Sequence, residues 1–174
     1  MKKIIISLCL LFVSNAYAGK INDFFNDGVF NVKWGGTLEN VKEAHPGGKE
    51  FTENGIFTYR IIDGRKIAGI ERNKEDYIDF LFNSEDRLDS VSILFDPKTE
   101  EEINAVFPKL DNVFGSDWFQ PNKMNPAIAW PNDGGVLVFY LTTFSGGIYG
   151  GKMKTTLFIR KEIDIKASKE ELGF

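Results

Sequence analysis

The residues best suited to chemistry in this chain form three sparse groups. Gly146, Gly151 and Lys152 follow most of the phosphate-loop pattern, in which backbone amides cradle phosphates and a lysine neutralises them. Met153 stands where a magnesium-binding hydroxyl is required, and Thr155 to Ile159 reads as a strand rather than the helix such a loop opens. The segment is therefore expected to be a glycine-rich hairpin loop. His45, the sole histidine, precedes Pro46 at the end of a short helical pattern. One histidine cannot build a multi-histidine zinc site, and no Gly-x-Ser-x-Gly elbow supplies a nucleophile, so capping or surface exposure is expected. Glu85, Asp86 and Asp89 cluster around Arg87, but without the turn glycine of a calcium loop, which predicts a solvated, self-paired turn. Paired carboxylates acting on a polymer remain the catalytic alternative, because acids are plentiful. No catalytic residue, metal ligand or cofactor is assigned, and enzyme is the weaker class.

Aromatic content is the stronger signal. Sixteen phenylalanines, five tyrosines and three tryptophans exceed what a chain of 174 residues ordinarily carries, and most belong in a core. Four fall beside turn chemistry: Trp118 and Phe119 before Gln120-Pro121-Asn122, Trp130 before Pro131, and Tyr149 within the glycine loop. Trp and Tyr dominate interface hot spots, so these four are the candidate binding residues. The competing expectation is that each tucks back over a sheet edge.

Residues 1–18 read as a secretory signal peptide. Lys2 and Lys3 precede an apolar run from Ile4 to Val13, and Ala16-Tyr17-Ala18 supplies the small residues of a cleavage site. The run is too short for a membrane-spanning helix. Cleavage after Ala18 would leave 156 residues, one ordinary domain, in the periplasm or outside the cell. It would also remove the only cysteine, Cys9, and with it any disulfide or thiolate site. A lipid anchor at Cys9 is disfavoured, since Ser7-Leu8 are not the small residues such a site wants. The two lysines leave with the segment, so the remainder carries 19 basic against 25 acidic residues, a net −6. That balance argues against nucleic acid as a partner. The charged, helix-prone Ser168 to Gly173 argues against an outer-membrane barrel ending at Phe174.

Strands and two helices must position these residues. Thr37 is expected to cap a helix from Leu38 to Ala44 that Pro46-Gly47-Gly48 ends. Thr99 and Glu102 form a capping box for a second, whose stripe of Ile103, Val106, Phe107, Leu110, Val113 and Phe114 runs to Gly115. Pro108 inside that stripe predicts either a kink or a new helix start. Strands are expected at 56–62 and 65–72, joined by Asp63-Gly64, then at 77–82, 88–95, 127–130, 135–144 and 155–162. A further strand is expected around Phe30, Val32 and Trp34. The segment 135–144 is apolar on both faces and is expected to be central. The result is an α+β domain over residues 19–174, mostly antiparallel, with two helices packed on one sheet face. A subdivision near Asp96-Pro97 would make it two repeated helix-plus-sheet units.

Trp34-Gly35-Gly36-Thr37-Leu38-Glu39-Asn40-Val41 and the hairpin Phe82 to Leu88 resemble segments of small exported α+β domains. Those domains include the β-lactamase inhibitory proteins and lipoproteins of outer-membrane assembly. The resemblance implies helix-plus-sheet modules that bind other proteins rather than catalyse, and it transfers no functional residue. The leading expectation is thus a periplasmic, non-catalytic, inhibitor-like protein that meets a protein partner in the cell envelope, its oligomeric state left open. The alternatives are an envelope-polymer hydrolase and a carrier of small apolar ligands, which would need a cavity of about 300 Å³ or more.

Overall fold

The structure, a computed structural model, describes residues 20–96, 99–121, 127–145 and 152–162. The expected signal segment and Tyr149 lie outside them. Elements run in the order α1 (Lys20–Phe25), β1 (Gly28–Val29), β2 (Val32–Lys33), α2 (Leu38–Ala44), β3 (Lys49–Glu53), β4 (Ile56–Ile62), β5 (Tyr77–Phe82), β6 (Leu88–Phe95), α3 (Glu100–Phe114), β7 (Ile128–Asp133), β8 (Val136–Ser145) and β9 (Lys152–Lys161). Strands β3 to β9 form one antiparallel sheet in the order β3-β4-β5-β6-β9-β8-β7, while β1 and β2 form a separate hairpin. The α+β class is as the sequence predicts.

The strand order has a simple logic. In each half a capped helix is followed by a meander that begins at a sheet edge and walks inward. The last strands, β6 and β9, then pair antiparallel, Ser90 opposite Arg160 and Ile93 opposite Leu157. The layout of two helix-plus-sheet units is therefore present in the topology, joined at a hydrogen-bonded seam.

Both helices start where local chemistry says they should. Thr37 Oγ1 accepts the Asn40 amide at 3.4 Å while Asn40 Oδ1 accepts the Thr37 amide at 3.0 Å. Thr99 and Glu102 make the same reciprocal pair at 3.2 and 3.3 Å. Gly115, at φ 95°, ends α3 in a conformation that suits glycine. α3 runs unbroken through Pro108, so no second helix starts there.

Register divides the sheet into two faces. Tyr59, Phe80, Val91, Ile159, Val138 and Trp130 lie on one cross-strand row, all buried, and the next row holds Ile61, Ile78, Ile93, Leu157, Tyr140 and Ile128. This face packs on Val41 of α2, on Val106, Leu110 and Phe114 of α3, and on Ile21, Val29 and Val32 of the N-terminal elements. The opposite face carries Arg60, Asp79, Ser92, Phe158 and Phe139 in one row.

Four expectations need correction. Residues 65–72 are not a strand: Ala68 and Gly69 adopt left-handed φ of 50° and 73°, and the segment folds back on itself through paired bonds between Ile67 and Ile70. β4 turns instead through Asn54-Gly55, at φ 51° and 79°, to β3. β3 escaped notice because Phe51 is its sole apolar residue. Around Phe30 the chain forms not one strand of the main sheet but the β1–β2 hairpin, turning at Phe30-Asn31 with φ of 51° and 64°. β8 is second from the edge rather than central, and α1 is a third helix.

Candidate functional site

The four aromatic candidates have separate fates. Trp130 lies within β7, because Pro131 sits in an edge strand and does not end it. Its register opposite Val138 turns the side chain under α3, where it is 1% exposed. The indole N–H donates to the Gly115 carbonyl at 2.7 Å, and the ring meets Phe114 edge-on at 5.2 Å. Trp130 is a core residue, which corrects its assignment as a surface anchor. Trp118 and Phe119 are 39% and 49% exposed. Phe119 exchanges both backbone bonds with Ala129, at 2.8 and 2.9 Å, and so adds a rung to the β7 edge. Trp118 stands edge-on to Phe107 at 5.2 Å. Two of the four remain at the surface; Tyr149 falls outside the described residues.

A different feature dominates the helix side of the sheet. A cleft of about 760 Å³ opens over the β6–β9 seam. Ile93, Leu157 and Ile159 lie buried at its base, and Val113 and Phe114 of α3 form one wall. Phe24 and Phe25 of α1, the β1–β2 hairpin, and Ile67 with Ala68 close the rest. Among the described residues its charged lining is Asp27 and Lys33.

The N-terminal wall is held by polar contacts to the rest of the chain. Asn22 N–H donates to Asp133 Oδ2 at 2.8 Å, and Trp34 Nε1 donates to the Phe25 carbonyl at 2.6 Å. Gly35 and Gly36 pair with Leu88 through bonds of 2.8 and 2.9 Å. His45 closes α2 with its amide, stacks on Phe80 at 5.2 Å, and hydrogen-bonds through Nε2 to the Phe30 carbonyl at 2.7 Å. The sole histidine thus caps a helix and pins the hairpin.

The chain matches no family model, no curated protein and no solved structure. The site is therefore read from its own geometry.

Among the described residues the large cleft shows no paired carboxylates, Asp27 being the one acid in its lining. A smaller cleft of about 260 Å³ between α3 and residues 70–73 is richer in charge, with Glu71, Arg72, Asp96, Glu102 and Lys109. Its groups are structural. Arg72 donates to the Leu94 and Tyr77 carbonyls, both at 2.9 Å, and burial lowers its pKa from the ordinary value. Glu71 pairs with Lys66 at 2.6 Å, Glu102 caps α3, and Lys109 donates to the Gly69 carbonyl at 3.1 Å. Together they fasten the 65–73 loop to the helix and the sheet. Among the described residues no group of three or more His, Cys, Asp or Glu is placed to hold a metal ion. The acidic turn is organised by Asn83, whose Oδ1 accepts the Glu85 and Arg87 amides, rather than by self-pairing around Arg87. Asp89 instead reaches Arg160 on β9 at 3.6 Å.

The cleft was missed in the sequence, although one signal was there. Ile21, Phe24 and Phe25 fall at helical spacing directly after the expected cleavage site. The other lining residues run from Asp27 to Ile159, in segments far apart in the chain.

Proposed function

We propose that this chain is an exported, non-catalytic binding protein whose ligand is a small apolar or amphipathic molecule seated over the β6–β9 seam. The observation that carries this reading is the cleft of about 760 Å³, lined by Phe24, Phe25, Phe30 and Val113 above the buried Ile93, Leu157 and Ile159. Its volume lies within the range of small-molecule sites, and an apolar surface with few polar groups is the chemistry such sites use. Lys33 and Asp27 supply the polar contacts that would orient an amphipathic guest. The non-catalytic role agrees with what the resemblance to inhibitory and assembly domains implies. Contact with a protein partner through Trp118 and Phe119 is the second reading, and it rests on their exposure.

Titration with a fluorophore-bearing long-chain fatty acid tests the first reading. The native chain should bind it saturably. Val113→Trp, which fills the cleft from its α3 wall, should weaken binding at least tenfold while the melting temperature moves by only a few degrees. Saturable binding that Val113→Trp leaves intact, or no binding at all, refutes the apolar-ligand site.

A further inference from the structure

At the sheet edge farthest from Trp118, β3 has a self-complementary sequence. Its five residues, Lys49-Glu50-Phe51-Thr52-Glu53, carry opposite charges at the two ends and an aromatic at the centre. β3 ends the strand order, so one side of its backbone has no partner strand among the described residues. The Asn54-Gly55 turn fixes which groups are free. In a two-residue hairpin the residues flanking the turn exchange both hydrogen bonds, and the pattern alternates from there. Glu53, Phe51 and Lys49, opposite Ile56, Thr58 and Arg60, therefore direct their N–H and C=O groups at β4. Glu50 and Thr52 direct theirs outward.

We propose that this edge pairs with the same edge of a second copy of the chain, antiparallel about a two-fold axis at Phe51. Three independent features agree on that register. Glu50 falls opposite the second copy's Thr52, and these are the residues with free backbone groups, so the axis generates four hydrogen bonds. Lys49 falls opposite Glu53, twice, in complementary pairs; neither residue makes an ion pair among the described residues. Phe51 meets its copy in the closely spaced, non-hydrogen-bonded position, where cross-strand aromatic pairs interact best. Shifting the axis by one residue either way sets Phe51 opposite Lys49 or Glu53 and loses both charge pairs.

Phe51 is also pre-positioned. The Arg60 guanidinium sits 4.8 Å from its ring centroid and 3.6 Å from that of Tyr77, while a bidentate pair with Asp79 at 2.7 and 2.8 Å holds the guanidinium in place. The paired aromatics would then lie on the sheet face away from the helices. A five-residue edge buries little area, so the dimer belongs to the weak, reversible class.

Sedimentation velocity over about 10 µM to 1 mM tests the pairing. The native chain should shift from monomer to dimer with concentration. Thr52→Pro removes an outward N–H that β4 does not use, and should abolish the shift with little change in melting temperature. Lys49→Glu should weaken dimerisation about tenfold, through two lost pairs and two repulsions, and the double exchange Lys49→Glu/Glu53→Lys should restore it. A native chain that stays monomeric at 1 mM overturns the proposal, as does a dimer indifferent to these changes. Monomers whose Glu50 and Thr52 amide resonances move only on adding an extended foreign peptide would assign the edge to another strand and equally overturn self-pairing.

Discussion

Trp130 separates a core role from an interface role, and the two predict opposite outcomes for Trp130→Ala. The side chain is 1% exposed, so truncation removes nearly all of a buried indole. Core Trp or Phe to Ala changes cost about 3–5 kcal/mol. Within that total, the edge-to-face contact with Phe114 contributes about 0.5–1.5 kcal/mol and the indole hydrogen bond to Gly115 about 1 kcal/mol. Domains of this kind are stable by about 5–15 kcal/mol, so the loss is about a fifth or more of the whole. With a urea slope of about 2 kcal/mol/M, the unfolding midpoint should fall by about 1.5–2.5 M. Trp130→Phe keeps a ring against Phe114 and loses the N–H donor, and should cost about 1–2 kcal/mol; it secures the test if the alanine variant does not fold. Trp118→Ala is the internal contrast. Its exposed ring makes one edge-on contact with Phe107, so about 1 kcal/mol should be lost. A Trp130→Ala stability within about 0.5 kcal/mol of native would have the signature of a surface site and would refute the buried assignment.

Two further outcomes follow from local chemistry. Burial works against the charge on Asp63, but hydrogen bonds from the Arg65 side chain at 2.6 Å and amide at 2.8 Å outweigh it and hold its pKa below the ordinary 3.8. A depressed folded pKa gives stability that is complete above the unfolded value and is lost as pH falls through the folded one. The melting temperature of the native chain should therefore drop more steeply below about pH 4 than that of Asp63→Asn, which should start lower at neutral pH; parallel acid limbs would contradict the assignment. Thr99→Ala removes one half of the α3 capping box and should cost about 1 kcal/mol in urea unfolding. An unchanged midpoint would show that the start of α3 is held by something other than its cap.

What the sequence revealed follows from the range of the forces involved. Thr37, Thr99, Glu102 and Gly115 act within one helical turn: the first three set where the helices begin, and Gly115 sets where α3 ends. Apolar residues, alternating in β5, β6 and β9 and continuous in β8, mark those strands because each has a face buried against the core. β3 gave no such mark, since an edge strand with its charges in water has no periodic pattern to show; the Asn54-Gly55 turn was the readable clue. The 65–72 segment misled because Ile67 and Ile70 resemble strand residues, while the left-handed φ at Ala68 is a choice set by packing that alanine does not announce. Trp130 misled for a related reason. A proline beside an aromatic suggests a loop, yet an edge strand tolerates proline wherever its N–H would face outward.

The cleft belongs to a third category, because it arises from how the halves meet. α2 and α3 each sit in the segment that opens one half, and each meander runs inward from an edge. Pairing β6 with β9 brings Ile93 together with Leu157 and Ile159 at the centre, on the face the helices pack against. The seam is thus a place where apolar floor needs cover from outside the repeating layout, and α1 with the β1–β2 hairpin supplies it. That cover is bonded mainly at its ends, to Asp133 on one side and to His45 and Leu88 on the other. Between those fastenings Phe25 and Phe30 pack on the core, while Phe24 stands exposed at the rim of the cleft. The room for a guest lies above this covered seam, between the aromatic side chains of the cover and the wall of α3.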